Sequence, residues 1–169
     1  YTTQNLATEP EVTKAQIPGM YAGGGDAMHM QKNPWLFRIR PADGIQALAL
    51  AKHATEGLGK KKIGILYVQN DFGQPGAIAA DKVIKAAGAT TVGMEAYAFT
   101  DNDMSAQIQK LKNAGADCFI CISYGKDGAL ILKLVKEMGI DIPIVTSSGV
   151  MVPAARNLIA PEELTNVNG

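Results

Sequence analysis

The segment from Lys61 to Gly73 constrains the fold most strongly. A basic pair precedes the apolar run Ile63–Val68, and polar residues and a glycine follow it before a helical pattern begins. A short apolar run bounded in this way predicts a buried parallel strand that leads into a helix through a tight loop. Ligands of open α/β sheets bind at the carboxyl ends of the strands, so residues 69–73 form a candidate ligand-facing loop.

Strand and helix patterns alternate along the rest of the chain. Strands are expected at Trp35–Ile39, Ile63–Val68, Thr91–Tyr97, Asp117–Ile122 and Pro143–Thr146. Helices are expected from Asp43 to about Glu56, over Gly73–Ala87, from an Asp103 cap to about Asn113, over Lys126–Met138 and over Met151–Ile159. This alternation predicts a doubly wound parallel α/β sheet with helices on both faces. Within the helices, we expect inward faces carrying Ile78, Val83 and Ala86, then Met104, Ile108 and Leu111, then Leu130, Leu134 and Met138, and an apolar face of Ile45, Leu48 and Ala49.

Composition limits the classes of function. The chain has 169 residues, of which 47% are apolar and 19% charged, and its 16 basic and 16 acidic residues cancel. These values are typical of one globular domain and argue against a nucleic-acid or anionic-membrane partner. No apolar run reaches the roughly 18 residues that span a bilayer, and no signal peptide is recognisable. The chain begins without Met and stops at Asn168-Gly169, so we expect a fragment or a processed product.

Two sequence features imitate cofactor or metal sites. Cys118 and Cys121 have the spacing of a redox or zinc motif, but they lie inside an apolar strand pattern, which predicts inert core cysteines. The run Gly23-Gly24-Gly25 has neither the Gly-Lys of a Walker loop nor a following helix within a βαβ unit. We interpret this run as a turn that is either flexible or allows close backbone approach, and we expect neither a metal nor a cofactor.

Polar residues at the predicted strand ends are the candidate site residues. Asp71 is either a catalytic carboxylate or, the interpretation we favour, the cap of the following helix. Tyr124 ends a buried strand and is equally suited to the core and to a ligand contact. Ser148 lacks the flanking glycine of a nucleophile elbow, and neither His29 nor His53 has an obvious pairing with it. No catalytic constellation emerges, so we expect a protein that is not an enzyme.

Several segments together resemble one protein family. The segment Asn33–Asp43 resembles the opening of the second lobe in type I periplasmic solute-binding proteins of the leucine/isoleucine/valine-binding type. Further similarities follow in the family's order: Asn70-Asp71-Phe72-Gly73, Asp103-Met104-Ser105, Ala114-Gly115-Ala116-Asp117 and Lys136-Glu137-Met138-Gly139. Ile17-Pro18, followed by a small-residue loop, resembles the end of the first lobe. Each motif is weak alone, and their order and spacing carry the resemblance.

The resemblance implies a domain division and a ligand site. Family members are about twice this length and bind a ligand between two lobes, so residues 1–32 would be a remnant of the first lobe and residues 33–169 an incomplete second lobe. Phe72 and Tyr124 take the places of two cleft aromatics, and Ser148 takes the place of an acid that pairs with a ligand ammonium. Gly24 and Gly25 lie where first-lobe residues bind the ligand carboxylate. Together with Asp71, these are the candidate ligand-binding residues.

The resemblance also implies function and partners. We expect a non-enzymatic, periplasmic or lipid-anchored extracellular component of an ABC importer, whose two lobes close on a small ligand and whose closed form contacts a permease. The alternative is the ligand-sensing domain of a receptor or regulator with the same fold. A flavodoxin-like or receiver-like domain is a third class, against which the Ser123-Tyr124 strand end counts. An isolated lobe is expected to bind ligand weakly, and its exposed cleft face favours self-association.

The residue at position 148 leads to an expectation about the ligand. A serine offers no charge to a buried ammonium, and an unpaired buried charge is costly. The full-length protein is therefore expected to prefer a ligand without a free α-ammonium, such as an aromatic or aliphatic carboxylate or an amide. Asp127 is the residue that threatens this expectation, because its carboxylate could supply the missing charge from another direction.

Overall fold

The computed structural model describes residues 2–25 and 32–169 and contains a five-stranded parallel sheet. The helices are α1 (Thr2–Ala15), α2 (Asp43–Lys52), α3 (Gly73–Ala86), α4 (Ser105–Asn113), α5 (Gly125–Glu137) and α6 (Pro153–Arg156). The strands are β1 (Gly19–Tyr21), β2 (Leu36–Arg38), β3 (Lys62–Val68), β4 (Thr90–Tyr97), β5 (Cys118–Ile122), β6 (Ile144–Thr146) and β7 (Val167–Asn168).

The main sheet has the order β4-β3-β5-β6-β7, and every neighbouring pair is parallel. The chain moves outward from β3 to β4 and then returns past β3 to β5, so right-handed crossovers put α3 on one face and α4 and α5 on the other. The helix contacts agree, since α2 packs on α3 and α4 packs on α5. The predicted doubly wound parallel sheet is therefore confirmed, with its order reversing at β3. Ligands of such sheets bind where the order reverses.

The apolar face expected on α2 lies on the exposed side, and the inward face predicted for α3 was only partly right, since Val83 is partly buried against the core. Ile45 and Ile78 are 59% and 45% exposed, and Leu48, Ala49 and Ala86 are also exposed. Besides Leu50 and Ile84, the residues buried here are small, namely Ala47, Ala51 and Ala54 after the start of α2 and Gly76, Ala77 and Ala80 in α3. Alanine and glycine let two helices approach closely, but they contribute little to a hydrophobic pattern. The bulky but exposed Ile78 therefore led to an incorrect inward face for part of α3.

The other two helices follow their sequence patterns more closely. Met104, Ile108 and Leu111 are fully buried beside and within α4, as predicted. In α5 the predicted Leu130, Leu134 and Met138 are only partly buried, although they pack against the core. The most deeply buried side chains of α5 are instead Ile131, Leu132 and Val135.

The N-terminal part forms a separate two-stranded parallel sheet. Strand β1 pairs with β2 through Gly19–Leu36, Met20–Phe37 and Tyr21–Arg38. Helix α1 precedes this small sheet in the chain. Because β2 pairs with β1 and not with the main sheet, the structure ties residues 36–38 to the N-terminal part. The domain boundary at residue 33 stays a prediction.

Both cysteines are buried in β5 and carry free thiols. Burial, and then the charge of Asp117, raises the pKa of Cys118 from its ordinary value of 9.0 to about 12. Burial likewise raises the pKa of Cys121, as does the neighbouring Cys118. A thiolate is the reactive form of cysteine. Because their pKa values are raised, both buried thiols stay protonated near neutral pH, as expected for the core cysteines that the sequence predicted.

We expect the two thiols to make the fold sensitive to alkaline pH. Their folded pKa values lie above the unfolded value of 9.0, so the unfolded state loses protons first. The contribution of the two thiols to the free energy of unfolding is then fully present below pH 9. It falls as pH rises above 9, by about 1.4 kcal/mol per pH unit for each thiol.

Urea unfolding of the wild type and of the Cys118→Ala and Cys121→Ala variants, followed from about pH 8 to about pH 11, measures this slope. Each substitution should make the decline shallower whatever its effect at neutral pH. Equal slopes in all three proteins would contradict the expectation.

Candidate functional site

A pocket of about 200 Å³ lies at the carboxyl edge of the main sheet. One wall comes from residues 22–24 and from the start of α2, and the other from residues that follow β3, β5 and β6. The second wall carries Phe72, Tyr124 and Ser148. The pocket therefore lies where the strand order reverses, which is the usual ligand position in a doubly wound sheet.

The loop after β3 is shaped by Asn70. Its side-chain Oδ1 accepts hydrogen bonds from the backbone N–H groups of Phe72 and Gly73, both at 3.0 Å. An asparagine bonded to its own following backbone forms a tight turn, and this turn directs the buried Phe72 into the pocket. Asp71 is exposed and does not line the pocket. The prediction that Asp71 caps α3 was wrong, because the side chain that bonds the backbone N–H groups at the start of α3 is that of Asn70.

Tyr124 lies between two other aromatic side chains. Its ring centroid is 4.9 Å from that of Phe72 and 5.6 Å from that of Phe99, the latter in an edge-to-face contact. The Tyr124 hydroxyl oxygen accepts a hydrogen bond from Asn70 Nδ2 at 3.3 Å. These contacts hold an aromatic face at the pocket wall. Aromatic pairs in such geometry contribute about 0.5–1.5 kcal/mol beyond their area burial.

The loop after β6 divides its two serines between structure and pocket. The buried Ser147 hydroxyl donates to the Ser123 carbonyl at 2.6 Å and accepts from the Ser123 N–H at 3.1 Å, which joins the ends of β5 and β6. Ser148 is exposed and lines the pocket, where its hydroxyl oxygen accepts a hydrogen bond from Gln46 Nε2 at 2.7 Å. Ser148 therefore offers a hydroxyl to the pocket.

The glycine segment of the other wall is held by charged groups. The Gly24 carbonyl accepts from the Asp43 N–H at 2.6 Å and from Arg38 Nη1 at 3.4 Å. A Cβ on Gly24 would lie 2.0 Å from Asp43 Oδ1, so only glycine fits without displacing that carboxylate. This is the close backbone approach that the sequence predicted. Gly24 lines the pocket, whereas Gly25 is buried and is not among the lining residues.

Three polar residues of the pocket escaped the sequence analysis, namely Arg40, Asp43 and Gln46. Arg40 Nη2 forms an ion pair with Asp43 Oδ1 at 2.9 Å, and the Arg40 side chain is 31% exposed while Asp43 is 3% exposed. The sequence predicts a helix from Asp43, and α2 does begin there, after the cap residue Ala42. The signal for these pocket residues was the pair of charged residues around Pro41, Arg40 and Asp43, which the sequence prediction placed only in the segment that leads into a helix.

Asp127 does not supply a charge to this pocket. Its carboxylate accepts hydrogen bonds from the Tyr97 hydroxyl and, at 3.2 Å, from the Tyr124 N–H. It is 4% exposed and borders a different depression, beside Phe99. Burial, and then the adjacent Asp127 carboxylate, raises the pKa of Tyr97 above its ordinary range. Tyr97 therefore stays protonated and acts as a donor beneath the Tyr124 loop.

Other candidate sites are weaker. A depression of about 360 Å³ lies beside Gly139 and Ile144, at the amino end of β6 and so at the edge of the sheet where α/β ligands do not usually bind. Within residues 2–25 and 32–169, no group of three or more His, Cys, Asp and Glu side chains is arranged to hold a metal ion. No helix in the same ranges is both long and apolar enough to cross a membrane.

Comparisons with known proteins agree with this architecture. Residues 2–162 match the model of the periplasmic binding protein family. The Leu/Ile/Val-binding protein homolog 8 of Brucella abortus is 34% identical over 113 residues, which cover 62% of this chain and 28% of that protein. The match therefore covers less than a third of the relative's length.

Two solved structures share the fold. A solute-binding protein of an ABC transporter from R. palustris, in complex with 4-hydroxybenzoate, has a TM-score of 0.81 at 19% identity, over 92% of this chain and 44% of that one. A branched-chain amino acid ABC transporter protein from Thermus thermophilus with bound valine has a TM-score of 0.82 at 19% identity, over 99% of this chain and 44% of that one. This chain spans less than half the length of each, and it belongs to the periplasmic binding protein family, with relatives of the branched-chain amino-acid transporter type.

Proposed function

We propose that this chain is the ligand-contacting part of an extracytoplasmic solute-binding component of an ABC importer. The observation that carries the proposal is the pocket between the Gly23-Gly24 segment and the strand ends that present Phe72, Tyr124 and Ser148. One wall comes from the segment near β1 and the start of α2 and the other from the strand ends of the main sheet, so a ligand between them would be enclosed when the walls approach. The bound form would then contact a membrane permease.

The pocket walls suit a small, partly apolar ligand. Phe72 and Tyr124 offer adjoining aromatic faces, while the hydrogen-bonded pair Gln46 and Ser148, one from each wall, offers polar groups. Sites of this kind bury the apolar body of a ligand and orient it with a few polar contacts. Hydrophobic burial contributes about 25 cal/mol for each Å² of apolar surface removed from water, which favours a ligand that covers both rings.

The charges of the pocket favour a ligand without a free α-ammonium. Ser148 brings no carboxylate, and the carboxylate that does line the pocket, that of Asp43, is already paired with Arg40. An ammonium entering this pocket would meet a carboxylate whose charge is offset, and it would lose hydration without gaining an equal partner. Asp127 borders another depression, so its carboxylate does not supply this pocket with the charge that an ammonium would need.

The solved relatives leave both ligand classes open at the level of the fold. One binds 4-hydroxybenzoate and the other valine, at nearly equal TM-scores to this chain. The choice therefore rests on the side chains of this pocket. They support an aromatic or aliphatic carboxylate, or the corresponding amide, over an amino acid.

A thermal-shift screen of the full-length protein tests the proposal. Benzoate-like or short branched aliphatic acids and amides are expected to raise the Tm, whereas leucine and valine are expected to leave it unchanged. A ligand at 100 times its Kd stabilises the folded state by about 2.7 kcal/mol, which a melting curve detects readily. Stabilisation by leucine or valine alone would refute the proposed ligand class, and the Ser148→Glu variant should move the preference toward those amino acids.

A further inference from the structure

The pocket contains one cation among its described lining residues, and that cation is Arg40. The other charged lining residue in the described part of the chain is Asp43. The two side chains differ in exposure, since Asp43 is 3% and Arg40 is 31% exposed. The guanidinium is therefore the more accessible charge of the pair.

The guanidinium is fixed but not fully used by the neighbouring atoms. Its Nη2 donates to Asp43 Oδ1 at 2.9 Å, and its Nη1 makes a long contact of 3.5 Å with the Ala22 carbonyl. An arginine has five N–H donors in a rigid fork that matches a carboxylate in two places. An ion pair with a buried acid orients this fork, and the fork has more N–H donors than these two contacts use.

We propose that Arg40 binds the carboxylate of the ligand and thereby selects acids over amides. This inference rests on the proposed function and narrows its ligand class. The carboxylate would lie against the guanidinium at the wall formed by the start of α2, while the body of the ligand would pack on Phe72 and Tyr124 across the pocket. Asp43 acts as a positioning residue that holds the fork in place.

Arg38 provides a matched control within the same segment. It lies two residues earlier, at the end of β2, and its Nη1 donates to the Gly24 carbonyl at 3.4 Å. Arg38 therefore supports the glycine segment much as Arg40 does, but it is not among the residues that line the pocket. Replacing Arg38 should perturb the segment without removing a ligand contact.

Calorimetry on the full-length protein tests the inference, with benzoate, benzamide and leucine as probes. We expect the wild type to bind benzoate at least tenfold more tightly than benzamide, which has nearly the same shape. Arg40→Gln should weaken benzoate binding at least tenfold and change benzamide binding less than threefold. Arg38→Gln should leave both affinities within threefold, and Arg40→Lys should recover part of the benzoate affinity because the charge returns without the fork.

Folding effects are separated by the double variant Arg40→Gln/Asp43→Asn, which replaces the ion pair by two amides and avoids an unpaired buried carboxylate. It should also lose the preference for benzoate. Benzoate affinity that survives both Arg40 variants, or a wild type that prefers benzamide, overturns the inference. Leucine binding that Arg40→Gln weakens would refute the ligand class proposed above and support the role of Arg40. A wild type that binds none of the three probes overturns both.

Discussion

Replacing Gly73 with alanine is expected to lower the free energy of unfolding by about 3 kcal/mol or more. A Cβ at this position would lie 1.9 Å from the carbonyl oxygen of Val68 and 2.9 Å from its carbonyl carbon. Both atoms belong to the backbone at the end of β3 and cannot move aside like a side chain. The loop after β3 would have to shift, and with it the Asn70 turn and the Phe72 ring.

Gly76 is the matched control for this substitution. It is buried in the same helix, but its Cβ would meet the side chain of Ile122, at 3.3 Å from Cδ1. That contact is small, and alanine gains about 0.5–1 kcal/mol in helix propensity over glycine. Urea unfolding should therefore show Gly76→Ala within about 1 kcal/mol of the wild type. A Gly73→Ala variant as stable as Gly76→Ala would contradict the close approach at the end of β3.

Removing the Asp127 carboxylate should be the most damaging polar substitution among those considered. Asp127→Ala leaves the Tyr97 hydroxyl, in a side chain that is 2% exposed, without this acceptor, and it also removes the acceptor of the Tyr124 N–H. Each buried polar group that loses its partner costs about 1–3 kcal/mol. We therefore expect the free energy of unfolding to fall by about 3 kcal/mol, and the Tyr124 ring to be held less firmly.

A double-mutant cycle separates this effect from general disruption. Tyr97→Phe alone should cost about 2 kcal/mol, and the double variant Asp127→Ala/Tyr97→Phe should cost clearly less than the sum of the two, because the donor and the acceptor are then removed together. Asp101→Ala is the control, since Asp101 accepts a backbone N–H, that of Ala98, near the surface. It should cost less than about 1 kcal/mol. Additive effects in the cycle would show that Tyr97 and Asp127 are not coupled.

The sheet was predictable because parallel strands carry a strong signal of their own. Runs such as Cys118–Ile122 are apolar throughout, since both faces of the sheet are covered. Strand β7 went unpredicted because two residues carry no periodic signal. The inward face of α3 was partly mispredicted for a different reason. Alanine and glycine form much of what is buried there, and the bulky Ile78 that weighted the pattern is exposed.

The site was predictable where the chain itself fixes position. Phe72, Tyr124 and Ser148 follow three parallel strands, and the carboxyl ends of such strands meet at one edge. Arg40 and Asp43 were not predictable in this way, because their place depends on how the segment before α2 lies against Gly24. That contact is non-local and leaves no period or spacing in the sequence. The ligand roles of all these residues stay predictions.

The pocket is assembled from stretches that are far apart along the chain. Its lining runs from Ala22 to Val152, and the hydrogen bond between Gln46 and Ser148 joins residues 102 positions apart. Contacts of such high sequence separation form late, because the entropy of closing the intervening loop must be met first. During synthesis, the glycine segment leaves the ribosome long before Ser148 is made. A nascent chain therefore lacks part of the pocket lining until synthesis has passed Val152.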